Sequence, residues 1–155
     1  MAFQIAPLPA ATFAHLHSLS AEQLAAHNAL RVTVDKKPGF PCRISLTDAE
    51  PGEEVLLVHY QHQPAATPFQ ASHAVYIRPH APEAQLSPDQ VPDQLRTRIL
   101  SLRGFSEDGM LLEADLADGS LLEPTLERLF ANPQVAYIHI HFAKPGCYAA
   151  KATRA

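Results

Sequence analysis

The stretch that decides the fold reads Val135-Ala136-Tyr137-Ile138-His139-Ile140-His141-Phe142. Its apolar and polar residues alternate, and a period of two predicts a β-strand whose side chains point to opposite faces. The apolar face, which we expect to be buried, carries Ala136, Ile138, Ile140 and Phe142. The other face carries Tyr137, His139 and His141. This one segment therefore predicts both a sheet and the place where a functional site would lie.

Outside this stretch, short apolar runs bounded by turn residues predict further strands. The predicted strands are 31–34, 54–60, 74–78, 98–105, 110–117 and 147–153. The middle of 54–60 is apolar on both faces, which favours a central position in the sheet. Asp108-Gly109 supplies the positive φ of a tight turn, so 98–105 and 110–117 are expected to form a hairpin. Residues 61–72 and 79–92 are expected to be loops.

Two helices are expected. Ser20 and Gln23 form a capping-box pattern that opens a short N-terminal helix. The main helix spans about 121–130, with Ser120 as candidate N-cap. Its buried stripe is predicted to be Leu122, Leu126, Leu129 and Phe130. The fold class is therefore α+β, a mostly antiparallel sheet with one main helix packed on it, in a single domain 1–155 whose first 19 residues are irregular.

Composition excludes several classes of partner. The 155 residues carry 12 basic and 16 acidic side chains, a formal charge of −4, which gives no basic footprint for nucleic acid or an anionic membrane. No apolar run approaches the roughly 20 residues that span a bilayer, and the N-terminus lacks the pattern of a signal peptide. We therefore expect a soluble, cytoplasmic protein in which Cys42 and Cys147 are reduced and unbridged.

The paired histidines admit three interpretations. His139 and His141 could supply two nitrogen ligands at about 2.0–2.1 Å from a zinc ion, with a third from elsewhere. Candidates for that third ligand are His59, His62, His73, Glu113 and Asp115. The pair could instead contact a non-metal ligand or transfer a proton. A solvated polar face of a half-exposed sheet is favoured over both, so neither a metal nor a cofactor is assigned.

Two further groups carry chemistry. In the hairpin, Met110, Leu112, Ala114 and Leu116 share one face, and Leu111, Glu113 and Asp115 share the other. Arg103 lies on the partner strand and could join a charged patch with His139.

Cys42 and Arg43 form the second group. An Arg guanidinium suits a carboxylate or phosphate, and a thiolate at Cys42 would need a base such as His139. The favoured alternative is structural, with Arg43 paired to Glu53 or Asp48.

Several stretches, taken together in order and spacing, match one known family. They are Phe40-Pro41-Cys42-Arg43, Pro51-Gly52-Glu53-Glu54 leading into Leu56-Leu57 and Tyr60, Pro68-Phe69, Leu102-Arg103, Asp108-Gly109, 122–130, 135–139 and Gly146-Cys147-Tyr148. Over about residues 35 to 155 the chain resembles a bacterial family known as domain of unknown function 1203. That family has no assigned activity, so the resemblance implies no specific function.

The chain departs from the family pattern at three places. Ser45 stands where a second cysteine is common, His73-Ala74 stands where Gly-Pro is common, and His141 stands where arginine is more frequent. By resemblance, these departures count against a metal site built from both strand histidines. The positions that match the family are Cys42, Arg43, Glu53, Tyr60, Arg103, His139 and Cys147.

Three functional classes remain. The favoured one is a small domain that binds a small anion in a polar sheet-face pocket formed by Arg43, Arg103, Tyr137, His139 and His141. The alternatives are an enzyme with His139 as acid or base and Cys42 as nucleophile, and a non-catalytic interaction module. For the anion site we expect Arg43, Arg103 and His139 to converge, with affinity falling as pH rises through about 6.5. The oligomeric state is left open.

Overall fold

Eight strands and three helices lie within residues 2–155, which the computed structural model describes. The strands are β1 Phe3–Ala6, β2 Leu30–Thr33, β3 Glu54–Gln63, β4 Ala71–Ile77, β5 Ile99–Phe105, β6 Leu111–Asp118, β7 Tyr137–Phe142 and β8 Tyr148–Arg154. The helices are α1 Ala21–Ala26, α2 Asp93–Arg96 and α3 Leu122–Phe130, with 3₁₀ turns at Ala10–Thr12, Ala14–Leu16 and Gly119–Leu121. The predicted α+β class is confirmed, with antiparallel pairing between the neighbouring strands of the larger sheet.

The chain divides into two compact units, which are described separately. Unit 1 comprises the residues up to 6 together with 61–73 and 85–155, and unit 2 comprises 7–60 and 74–84. Unit 1 contains a five-stranded sheet of order β1-β8-β7-β5-β6. The histidine strand β7 is thus the central strand of its sheet. The single-domain organisation expected from chain length stays a prediction.

One face of the unit 1 sheet packs against helix α3. Asn132, just after the helix, donates from Nδ2 to Oε1 of Glu113 at 3.1 Å, and Arg128 of the helix pairs with Asp115. Glu113 and Asp115 lie opposite Gly104 and Leu102 in the β5–β6 register, and directly opposed residues share a face. The predicted helix stripe is confirmed, as is the burial of the apolar face of β7. The buried residues concerned are Leu122, Leu126, Leu129, Phe130, Ile138, Ile140 and Phe142.

The other face of β7 is covered by the segment 61–73. Gln63 donates from Nε2 to the Tyr137 hydroxyl at 2.8 Å, and the Thr67 hydroxyl donates to the carbonyl of Gly109 at 3.1 Å. Beneath this segment His139 and His141 keep only 4% and 1% of their surface exposed. The interpretation of this face as solvated is therefore wrong. The covering segment lies far from β7 in sequence, so no local sequence pattern predicts that it covers this face.

Several boundaries differ from those expected. Strand β3 continues through Gln63 and β4 begins at Ala71, so the predicted loop 61–72 is shorter at both ends. The N-terminal segment is not wholly irregular, because β1 pairs with β8 and places Phe3 opposite Arg154. Four residues are too few for an alternating pattern to stand out. The predicted Ser120 cap is not observed, because the main helix follows a 3₁₀ turn and its N-cap residue, Leu121, makes no side-chain cap bond. The Asp118 side chain instead caps the 3₁₀ turn by accepting from the Ser120 N–H at 3.0 Å.

Unit 2 contains helix α1 and most of the three-stranded sheet of order β2-β3-β4. The predicted capping box of α1 is confirmed, since Ser20 accepts from the Gln23 N–H and the Gln23 side chain accepts from the Ser20 N–H. A small apolar cluster is formed by Val34, Phe40, Ala49 and Val55. These contacts give unit 2 a core of its own.

Candidate metal centre

Three histidines of unit 1 form a buried cluster, hereafter the His cluster: His62 near the end of β3, and His139 and His141 of β7. One potential ligand atom from each lies within 4.8 Å of the other two. The His62 ring centroid is 4.9 Å from that of His141 and 5.8 Å from that of His139. His62 is 8% exposed, so all three imidazoles are more than nine-tenths buried.

The local sequence explains how this cluster is positioned. Strand alternation places His139 and His141 on the same face of β7. A register shift between Ile140 and His141 then sets Tyr148 of β8 opposite His141. The Tyr148 ring stacks on His62, with centroids 5.3 Å apart and an interplanar angle of 11°. A β-bulge beside a site commonly redirects a side chain in this way.

A turn after β7 fixes the tautomer of His141. Gly146 has a φ of +80°, a conformation that glycine adopts readily, and it follows the predicted Lys144-Pro145 turn residues. Its carbonyl oxygen lies 3.0 Å from Nδ1 of His141, so Nδ1–H donates and Nε2 keeps its lone pair. A backbone carbonyl that orients a histidine in this manner is the usual support of a metal-ligating imidazole.

Each imidazole of the His cluster also has one buried nitrogen that finds no hydrogen-bond partner within residues 2–155. These atoms are Nδ1 of His62, Nδ1 of His139 and Nε2 of His141. Buried polar atoms are normally hydrogen-bonded, because leaving one unsatisfied costs about 1–3 kcal/mol. Three such atoms in one cluster point to a ligand that would satisfy them together.

Burial keeps the cluster uncharged at neutral pH. Desolvation lowers the pKa of His62 to about 4 and the pKa values of His139 and His141 to about 3. These values include smaller contributions: the charge of Arg103 lowers all three pKa values, and repulsion from neighbouring cluster histidines lowers those of His139 and His141. Neutral imidazole is the form that binds metal. The expectation that His139 titrates near 6.5 does not hold in this environment.

The β5–β7–β8 register places two cations beside the cluster. Arg103 of β5 and Lys151 of β8 are the direct cross-strand neighbours of His139. Arg103 therefore shares a face with His139, whereas Glu113 and Asp115 lie on the helix-covered face. The two carboxylates are thus removed from the set of third-ligand candidates. Tyr137 contributes its hydroxyl to the bond with Gln63.

The remaining predicted site residues lie in unit 2. Cys42 is buried, and its Sγ accepts from the Arg78 N–H at 3.3 Å. Arg43 is also buried and donates from Nη1 to the Pro41 carbonyl at 2.6 Å. Glu53 forms its ion pair with Arg78, at 2.7 Å. His59 is exposed in this unit, and Cys42 and Cys147 are both free thiols, as predicted.

Sequence reasoning named His62 only as one of five third-ligand candidates, and it missed Tyr148 and Lys151. His73, another candidate, is half-buried in unit 1, and its charge lowers the pKa values of His62 and His141. Lys151 could have been found from the sequence, because pairing the predicted strand 147–153 with the histidine strand places a cation beside the histidines. The identity of the third histidine depended on long-range packing.

The fold and the site together define an α+β protein with a buried tri-histidine cluster on the central strand of an antiparallel sheet. The chain belongs to the family described as protein of unknown function (DUF1203), whose model matches residues 39–154 and so includes all three histidines. The predicted family is thereby confirmed. No curated protein and no solved structure matches the chain. Within residues 2–155 no helix has the length and apolar character to cross a membrane.

Proposed function

We propose that this protein binds a divalent transition-metal ion through His62, His139 and His141, with zinc the leading candidate. One observation carries the proposal: three buried, neutral imidazoles from two strands present potential ligand atoms within 4.8 Å of one another. Imidazole nitrogen suits zinc, copper, nickel and iron, whereas magnesium and calcium prefer oxygen. The absence of any carboxylate or thiolate from the trio favours the first group of ions.

The required movement is small. Tetrahedral zinc with bonds of about 2.0–2.1 Å separates its ligand nitrogens by about 3.3 Å. Ligand atoms that start within 4.8 Å of one another need to approach by at most about 1.5 Å. Modest side-chain rotations supply this. The fixed tautomer of His141 already leaves Nε2 able to bind.

Three protein ligands leave a fourth coordination position. Structural zinc sites are commonly closed by four protein ligands, whereas sites with three keep one position for water or substrate. A tri-histidine centre is therefore suited to hold an exogenous ligand and polarise it as a Lewis acid. This feature makes a metal-dependent binding or catalytic role a stronger proposal than a purely structural ion.

The proposal replaces the acid–base role of His139. A general base works best with a pKa near the working pH, and His139, with a pKa of about 3, is neutral but weakly basic at pH 7. The proposed role for this imidazole is that of a metal ligand. Of the two arginines predicted to bind an anion, Arg103 is the one that lies beside the cluster, so we retain anion binding in the proposal with Arg103 alone. A cytoplasmic location stays part of the proposal, supported by the two free thiols.

The test is titration of the EDTA-treated, dialysed protein with Co²⁺, followed by visible absorption, and then competition with Zn²⁺. We expect one ion per chain and a tetrahedral Co²⁺ spectrum that Zn²⁺ abolishes. His139→Gln and His62→Gln should each weaken Co²⁺ binding at least tenfold. The matched control is His59→Gln, which alters an exposed histidine of unit 2 and should bind as the parent does. Absence of Co²⁺ binding, or binding that survives both cluster substitutions, overturns the proposal.

A further inference from the structure

The surroundings of the His cluster are positively charged. Arg103 and Lys151 stand on either side of His139 in adjacent strands, on the face that carries the cluster. Directly opposed residues on antiparallel strands have Cβ atoms about 4.5–5.5 Å apart. Two cations are therefore fixed one strand away from a proposed metal ligand, in opposite directions.

The electrostatic surroundings of the histidines agree with this placement. Arg103 and Lys151 are the permanently charged side chains that lower their pKa values, and no carboxylate within residues 2–155 raises any of them. The acidic residues of strand β6 nearest in register, Glu113 and Asp115, lie on the opposite face of the sheet. A divalent ion on three neutral imidazoles would thus add two positive charges to a site that already holds a cationic rim.

Within the described part of the chain, these neighbours offer a bound ion no counter-charge. A metal bound by neutral ligands between cations is destabilised by repulsion unless an anion joins it. Arg and Lys both recognise oxyanions, Arg with a planar fork and Lys as a point charge. The side chains that would repel the ion are the same ones that would bind an anionic fourth ligand.

We propose, on the basis of the metal centre inferred above, that its fourth ligand is a small oxyanion, a carboxylate or a phosphate, held between Arg103 and Lys151. The Lys151 ammonium lies 4.6 Å from the Tyr137 ring centroid, a cation–π contact that keeps it on the cluster side of the sheet. Arg103 is half-buried beside His139, where its guanidinium is partly desolvated and its hydrogen bonds to an anion gain strength. The oxyanion is thus the substrate class that this centre would take.

The experiment uses the full chain loaded with Co²⁺ and probes it with inorganic phosphate and with acetate. We expect one or both anions to shift the visible Co²⁺ bands saturably, and the comparison distinguishes a phosphate site from a carboxylate site. The double variant Arg103→Gln/Lys151→Gln should still bind Co²⁺ and should bind the effective anion at least tenfold more weakly. Arg128→Gln is the matched control, since this exposed cation lies on the helix-covered side and should leave anion binding unchanged.

The outcomes separate the two proposals. Failure to bind Co²⁺ at all removes the metal centre and this inference with it. Normal Co²⁺ binding with no response to phosphate or acetate overturns the oxyanion alone. An anion response that persists in the double variant also overturns it. If the double variant does not fold, Lys151→Gln provides the same comparison, because Lys151 is exposed and the substitution preserves most of its side-chain volume.

Discussion

Acidification of the metal-free protein should destabilise it well above the pH at which carboxylates protonate. His62, His139 and His141 have native pKa values of about 4, about 3 and about 3, below the value of 6.5 that an unfolded histidine has. Between those values the unfolded chain binds protons that the native state does not. Stability therefore rises with pH in this window, is fully present above about 6.5 and is lost as pH falls toward 4.

The magnitude follows from linkage. Each such histidine removes about 1.4 kcal/mol per pH unit once the pH is well below 6.5, so three give a slope of up to about 4 kcal/mol per unit. From pH 6.5 to 4.5 the loss reaches about 8 kcal/mol as an upper bound. Domains of this size have free energies of unfolding of about 5–15 kcal/mol. The loss is therefore comparable with the whole free energy of unfolding, and a protein in the lower half of that range should unfold by about pH 4.5.

The assay is urea unfolding in EDTA, followed by circular dichroism between pH 7.5 and 4.5. Glu53 and Glu123, whose pKa values are lowered by hydrogen bonds, act mainly below pH 4.5 and leave this window to histidines. His17 contributes in the same direction, since burial lowers its pKa too. His139→Gln should remove about one third of the part of the slope that comes from the three cluster histidines. A free energy of unfolding that stays level from pH 6.5 to 4.5 refutes the reasoning.

Three further outcomes are expected. Zn²⁺ at a hundred times its Kd should raise the free energy of unfolding at pH 7.5 by about 2.7 kcal/mol. EDTA should reverse this increase. A thermal scan that shows no increase contradicts the metal centre. Gly146→Ala should cost about 1–2 kcal/mol, because a φ of +80° strains any residue with a Cβ. Relief of that strain should displace the residue 146 carbonyl that orients His141, and Co²⁺ binding should weaken about 10–100-fold. Unchanged affinity in a Co²⁺ titration of this variant would exclude that positioning role. Leu126→Ala should lower the free energy of unfolding in urea by about 2–5 kcal/mol, because Leu126 is buried in α3. The variant should still bind one metal ion per chain, because α3 lies on the opposite side of the sheet from the cluster.

Local sequence patterns predicted the features that depend on residues a few positions apart. The alternation in 135–142 gave the buried apolar face of β7 and the common face of His139 and His141, and the Ser20–Gln23 pattern gave the capping box of α1. Asp108-Gly109 likewise marked the turn of the β5–β6 hairpin, where Gly109 has a φ of +88°. Each of these depends on residues within a few positions of one another.

Long-range packing determined what the patterns missed. Whether the histidine face meets water or protein depends on the segment 61–73, which is distant in sequence and contains prolines that suggest a loop. Its burial changes the histidine pKa values and converts a polar sheet face into a candidate metal centre. His62 joins the cluster only because β3 runs past Tyr60, where the apolar pattern ends and Gln61, His62 and Gln63 continue the strand.

The placement of His62 on β3 and of the other two ligands on β7 has a mechanical consequence. A bound ion would be a reversible crosslink between positions more than 70 residues apart, comparable in its effect on chain entropy to a disulfide. If the unfolded chain keeps the crosslink, it loses conformational entropy equivalent to about 4.5 kcal/mol of free energy for a loop of that length. The ion would thus fasten the end of β3 to the centre of the unit 1 sheet, and its release would free the covering segment 61–73 to exchange its amide protons.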